Sequence, residues 1–162
     1  EEYIDYLNVE ISRYIVHVMS SESASQDLRN ISGYYTVVSN LERIGDHAMN
    51  IAGYAVNLKK WKQTFSEDAL GELKKMRDIC LKTLDDIGYF TNGQKDRILE
   101  RTAQNEQQID DMRADYRDRQ VNRMQKGTFQ ADTGIIYSEI LTDFERIGDH
   151  ALNIAQKYNE IA

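Results

Sequence analysis

Residues 41 to 52 read LERIGDHAMNIA and residues 144 to 155 read FERIGDHALNIA, so two segments 103 residues apart differ at only two of twelve positions. Such a duplication constrains the fold before any single residue is weighed, because whatever the first copy forms the second must form again. The segments ahead of the motif repeat more weakly, at an offset of 105. Glu1, Ile4, Asp5, Val16 and Met19 correspond to Glu106, Ile109, Asp110, Val121 and Met124, with Leu7 opposite Met112 and Glu10 opposite Asp115.

Apolar residues recur at three- and four-residue intervals almost throughout, the period of an amphipathic helix rather than of a strand. Five helices follow. The first covers about 3–19, with Ile4, Leu7, Ile11, Ile15 and Val18 on one face. After the polar break at 20–25, a start at Ser25-Gln26-Asp27 opens a long second helix to about Trp61. Its inward face is read as Leu28, Ile31, Tyr35, Val38, Leu41, Ile44, Ala48, Ile51, Ala55 and Leu58. Ser66 is the N-cap of the third, with acidic residues in its first turn. That helix carries Leu70, Leu73, Met76, Cys80, Leu84 and Ile87 inward and stops at Thr91-Asn92-Gly93. The fourth runs from about Gln94 to Lys126, ended by Gly127, and the fifth from about Ala131 to the C-terminus. Helices one and two repeat as four and five, and helix three has no partner ahead of Glu1. The expected architecture is therefore all-α, one antiparallel bundle over 1–162 built from two tandem three-helix repeats. Residues 1–62 form repeat one without its first helix, and 66–162 form repeat two.

Composition narrows the function. There are 27 acidic against 20 basic side chains, a formal charge of -7, whereas a non-specific nucleic-acid binder presents a basic footprint. Proline is absent and glycine numbers nine, which speaks against a loop-rich β fold. The lone Cys80 forms no internal disulfide and sits at an apolar helical position, the pattern of a reducing compartment. No apolar run approaches the roughly 20 residues that cross a bilayer. The chain begins with Glu1 and shows no secretory signal, so a piece of a longer chain is expected.

The chemistry lies in carboxylates four residues apart: Glu42 with Asp46, Glu145 with Asp149, Glu1 with Asp5, and Glu106 with Asp110. On a helix such residues lie about 40° apart, and like charges there destabilise by roughly 0.2 to 0.5 kcal/mol per pair. Four such pairs at equivalent places point to a bound cation. Asn50 and Asn153 continue the stripes as secondary candidates. The competing reading is a solvated acidic face, with Arg43 and Arg146 each reaching the Asp three residues on; the fourfold recurrence favours the cation. Gly45 and Gly148 interrupt their helices at about 0.8 to 1.0 kcal/mol each relative to alanine. Close packing of another helix is the first explanation, and approach of a ligand the second. His47 and His150 lie about 100° round from the aspartates and are read as hydrogen-bonded residues at the core boundary. The Glu-x-x-His pattern of diiron bundles is missing from the motif, and no phosphate loop, nucleophile elbow or Cys/His zinc pattern occurs. The Arg/Asp alternation of helix four reads as paired charges on a solvated face.

The doubled Glu-Arg-Ile-Gly-Asp-His-Ala-x-Asn-Ile-Ala, on the last helix of each unit, resembles the PhoU family of phosphate-uptake regulators over nearly the whole chain. The resemblance implies tandem three-helix bundles whose acidic motifs hold iron, zinc or manganese clusters. It implicates Glu42, Asp46, Glu145 and Asp149, with Glu1, Asp5, Glu106 and Asp110 beside them. It implies a regulator working by contact with a phosphate transporter or signalling partner, without catalysis. Residues 117–127, followed by Gly134-Ile-Ile-Tyr and the motif, look most like the cytoplasmic tail of a sodium/phosphate cotransporter, tethered to the inner membrane. A free-standing PhoU-type regulator is the alternative. A metal-dependent hydrolase is a second alternative, and an acidic ridge docking a basic partner a third. Self-association through helix edges is also expected.

Overall fold

The computed structural model describes residues 2–21, 25–88, 94–127 and 131–161. All secondary structure among them is helical: α1 (Glu2–Ser21), α2 (Ser25–Trp61), α3 (Glu67–Gly88), α4 (Lys95–Gln125) and α5 (Ala131–Glu160). The expected stop at 91–93 lies outside the described residues. The other boundaries have visible causes. Ser66 Oγ accepts a hydrogen bond from the Ala69 amide at 3.3 Å, capping α3. Lys62 takes a left-handed φ of 55°. Its amide donates to the Lys59 carbonyl and that of Gln63 to Leu58, the paired bonds of a Schellman ending for α2. Gly127 closes α4 at φ 68°.

Helices α2 and α5 form the central pair and run antiparallel. Helix α4 packs along α5 and α1 along α2, while α3 seats against both α4 and α5. Arg101 on α4 pairs with Asp86 on α3. The main core joins Ala69, Met76 and Cys80 of α3 to Ile109 and Tyr116 of α4 and to Tyr137, Leu141, Phe144 and Ile147 of α5. A smaller core joins Val37, Ile87, Ile98, Ala151, Ile154 and Ala155. Cys80 is buried in the main core as expected, and burial pushes its thiol up to about 12.

Repeat two is thus enclosed on three sides, whereas α1 meets α2 alone. Several residues expected inward are consequently exposed: Ile4 and Ile11 on α1, and Tyr35, Leu41, Ala48 and Ala55 on α2. Helical periodicity marks an apolar face whether or not a neighbour covers it. Val37, one position from the expected Val38, is buried instead, because the face of α2 turned to α5 is the covered one. Leu70, also expected inward, is exposed at the mouth of a cleft beside Phe65 and Leu73.

Two polar clusters, one buried and one half-buried, tie the helices together. Glu72 of α3 accepts two hydrogen bonds from Arg123, at 2.9 and 3.1 Å, and one from the hydroxyl of fully buried Tyr137. Arg123, read as part of a solvated face, therefore turns inward, while Arg119 pairs on that face with Asp115 at 2.6 Å. The second cluster sits where α2 crosses α5. His47 Nδ1 donates to Asp143 Oδ1 at 2.7 Å and His150 Nδ1 to Asn40 Oδ1 at 2.8 Å, with the two rings stacked 5.5 Å apart.

Candidate metal site

Because residues four apart on a helix share a face, each motif helix presents its carboxylates as a short ridge, and the antiparallel neighbour brings a second. Asp5 of α1 meets Glu42 and Asp46 of α2, and Glu106 and Asp110 of α4 meet Asp149 of α5. Within each trio one oxygen per residue lies within 4.8 Å of the other two. The trios occupy equivalent places in the two repeats. Glu1 lies outside the described residues. Glu145 stands beside the second trio, held by Arg113 at 3.6 Å and Arg146 at 3.8 Å. Arg146 also pairs with Asp149 at 3.2 Å, while Arg43 approaches Glu42 at 3.8 Å rather than the expected Asp46.

The second cluster is electrostatically uncomfortable. Burial, then the charges of Asp110, Asp149 and Glu145, raise the Glu106 carboxyl above its ordinary value. Burial and Asp149 raise Asp110 against the opposing pull of Arg113. Burial likewise raises Glu145, again against Arg113. Asp110 Oδ1 and Glu145 Oε2 are buried with no hydrogen-bond partner. A cation among these oxygens would supply the missing partner and cancel the repulsion, so the residues fit a metal ion. The donors are all carboxylate oxygens, a harder set than the Cys/His ligands of structural zinc sites.

Glycine makes these ridges meet. A Cβ on Gly45 would stand 3.2 Å from Ile4 Cδ1, and one on Gly148 would stand 3.1 Å from Ile109 Cδ1. Close helix approach, the first of the two explanations given by the sequence, is what the motif glycines allow. Asn50 and Asn153 turn elsewhere. Each donates at 3.3 Å across the α2–α5 crossing, to Asp143 and Asn40 respectively. The histidines are hydrogen-bonded there and belong to neither trio. Burial and the neighbouring His47 lower the pKa of His150.

Asn40 and Asp143 were not singled out by sequence. Extending the aligned repeat two residues upstream of Glu42 and Glu145 pairs them at the same offset of 103, the signal that would have found them. Glu72 had no such signal. Lying outside the duplication, it reads as one more surface acid of α3.

Comparison with known proteins shows the family. A family model described as the PhoU domain matches residues 1–55 and 73–158. A phosphate-specific transport system accessory protein PhoU homolog 1 from Thermotoga maritima is 30% identical over 158 residues, 97% of this chain and 67% of the relative. A PhoU homolog of the same description from Xylella fastidiosa strain 9a5c is 28% identical over 161 residues, 96% of this chain and 65% of the relative. One from Aquifex aeolicus is 42% identical over 59 residues, 36% of this chain and 27% of the relative. The chain spans about two thirds of the length of the first two. On the matched motif helices and the equivalence of its two halves, this chain belongs to the PhoU domain family.

Proposed function

We propose that residues 1–162 act as a metal-loaded regulatory domain of a phosphate-transport system, in which carboxylate-bound ions clamp α1 to α2 and α4 to α5. The observation that carries this is the pair of acid trios at corresponding places, with Asp110 Oδ1 of the second trio, and Glu145 Oε2 beside it, buried without a hydrogen-bond partner. Such oxygens are costly to bury unless something pairs with them. The resulting domain is rigid, with contact rather than turnover as its output. Of iron, zinc and manganese, the oxygen-only donor set suits manganese best.

The relatives named above are accessory proteins of phosphate-specific transport systems, and they support the accessory reading over the cotransporter tail that residues 117–127 suggested. No helix among the described residues is long and apolar enough to cross a membrane. On this reading the partner is a component of a transport or signalling complex, met at the cytoplasmic face. The test is metal content per chain, measured by plasma mass spectrometry on protein purified without chelators. One or more ions per cluster, lost from the Glu42→Gln and Glu106→Gln double variant while the fold persists, is the expected result. A metal-free chain whose unfolding temperature ignores added manganese, iron and zinc would sink the proposal and leave the ridges as docking surfaces.

A further inference from the structure

Acids four residues apart are not the only like charges that α4 places side by side. Arg113 and Arg117 share that spacing, and two cations there repel as two acids do. On its own helix Arg117 has no acid three or four residues away, the neighbours being Arg113, Ala114, Gln120 and Val121. Among the described residues it forms no ion pair. Arg113, its side chain 33% exposed, reaches Glu145 at 3.6 Å, beyond hydrogen-bond length. Neither guanidinium therefore donates a hydrogen bond among the described residues, although each is rich in N–H donors and holds its charge at any ordinary pH. Both line a cleft of about 260 Å³ between α4 and α5, which is also lined by Ser138, Glu139 and Thr142 and by the buried Leu141.

The oxygens of the cleft are acceptors. Ser138 Oγ donates its proton to Gln120 Oε1 at 2.8 Å and Thr142 Oγ1 donates to the Ser138 carbonyl at 3.0 Å, so each hydroxyl has only lone pairs left to offer. Glu139 adds a carboxylate. A ligand that satisfies both halves carries anionic oxygens for the guanidinia and a proton for the acceptors. We propose that this cleft binds free hydrogen phosphate. Guanidinium-to-phosphate hydrogen bonds are charge-assisted and often bidentate, among the strongest available to a side chain. At neutral pH free phosphate keeps a proton on at least one oxygen, and Glu139 accepts it. Sulfate keeps none, and a phosphomonoester keeps few, its second ionisation falling at about pH 6. Against either, the Glu139 carboxylate would meet an oxygen with no proton, the kind of repulsion by which a site rejects a wrong ligand. The arrangement belongs to repeat two alone. At the offset of 105 the mates of Arg113 and Arg117 are Asn8 and Ser12, which hydrogen-bond to each other at 3.4 Å, and at 103 the mate of Glu139 is Thr36. One phosphate per chain is therefore expected, although the acid trios come in twos. Arg117 pairs with no acid of either trio, so the site is independent of metal loading.

Calorimetric titration of the 162-residue chain with inorganic phosphate, sulfate and methyl phosphate, in a chloride buffer at neutral pH, tests the site. Phosphate should bind once per chain, and about tenfold or more tighter than either sulfate or methyl phosphate, which lack the proton. Arg117→Gln, at an exposed position, should weaken phosphate about tenfold or more by removing a charged donor, while Tm and metal content stay those of the parent. Glu139→Gln should narrow the discrimination, because an amide can donate to an oxygen that carries no proton. Ser12→Ala, the matching position of repeat one, should leave phosphate binding unchanged. Phosphate binding that survives Arg117→Gln puts the anion elsewhere, on a metal at the trios for example, and overturns the proposal. Sulfate or methyl phosphate binding the parent as tightly as phosphate overturns it too, since the proton would then play no part. So does a parent chain that gives neither heat nor a shift in Tm with millimolar phosphate.

Discussion

Glycine at 45 and at 148 serves the same purpose in both repeats, yet the two positions should respond oppositely to a methyl group. At Gly45 the added Cβ meets the end of Ile4, a half-exposed side chain with room to swing, so Gly45→Ala should be neutral or stabilise by up to about 1 kcal/mol through helix propensity. At Gly148 it meets Ile109, locked in the core, and Gly148→Ala should lose that gain to overpacking of about 1 kcal/mol or more. Urea unfolding of the two variants reads the sign directly. Lys62 offers a simpler case: a side chain in the left-handed region at the C′ position of α2. Lys62→Gly should stabilise by about 1 kcal/mol, since glycine adopts that φ freely, and an unchanged unfolding midpoint would refute the cap. At this scale the sequence is legible where chemistry is local, as at Ser66 and Gly127. It is silent where the partner is distant. Neither the burial of Glu72 nor the Asp143–His47 bond follows from the residues beside them, because each is made with a helix whose partner residue lies 51 or 96 positions away.

Helix pairing decides the next scale. At the α2–α5 crossing Asp143 accepts from His47 and Asn50, while its mate Asn40 accepts from His150 and Asn153. Asp143→Asn merely copies the partner half and should cost under about 1 kcal/mol, whereas Asp143→Ala strands two donors and should cost about 2 kcal/mol. Equal losses would show that the charge, not the hydrogen bonding, holds the crossing. At the α4–α5 cluster, burial and mutual repulsion raise Glu106, Asp110 and Glu145, so the folded chain binds protons more tightly than the unfolded one. Their contribution to stability is present below the unfolded carboxylate values near about 4 and is lost as pH rises through the raised folded values. The metal-free protein should therefore lose Tm between mildly acidic and neutral pH. Glu106→Gln should flatten that slope, and added manganese should restore Tm at neutral pH. The existence and order of all five helices were readable from period and punctuation, since both are properties of one segment. Which face of α2 is covered was not, since Leu41 and Ala48 carry the same apolar signal as Val37.

Across the whole molecule the repeats are alike in sequence and unequal in enclosure. Local opening is easiest where few buried contacts resist it, so hydrogen exchange should be fastest along α1, which rests on α2 alone, and slowest in α5, the most enclosed helix. Uniform protection of α1 and α4 would contradict this ordering. The crossing also shows what a covalent tether between duplicated halves permits. Were the halves separate and identical subunits meeting on a dyad, the position shared by Asn40 and Asp143 would have to be amide on both sides or acid on both. Two acids would bring two buried negative charges to the stacked imidazoles, and two amides none. Written as one polypeptide, the arrangement carries a single carboxylate, so that one imidazole faces an anion and the other a neutral amide: the duplication is symmetric in shape but polarised in charge.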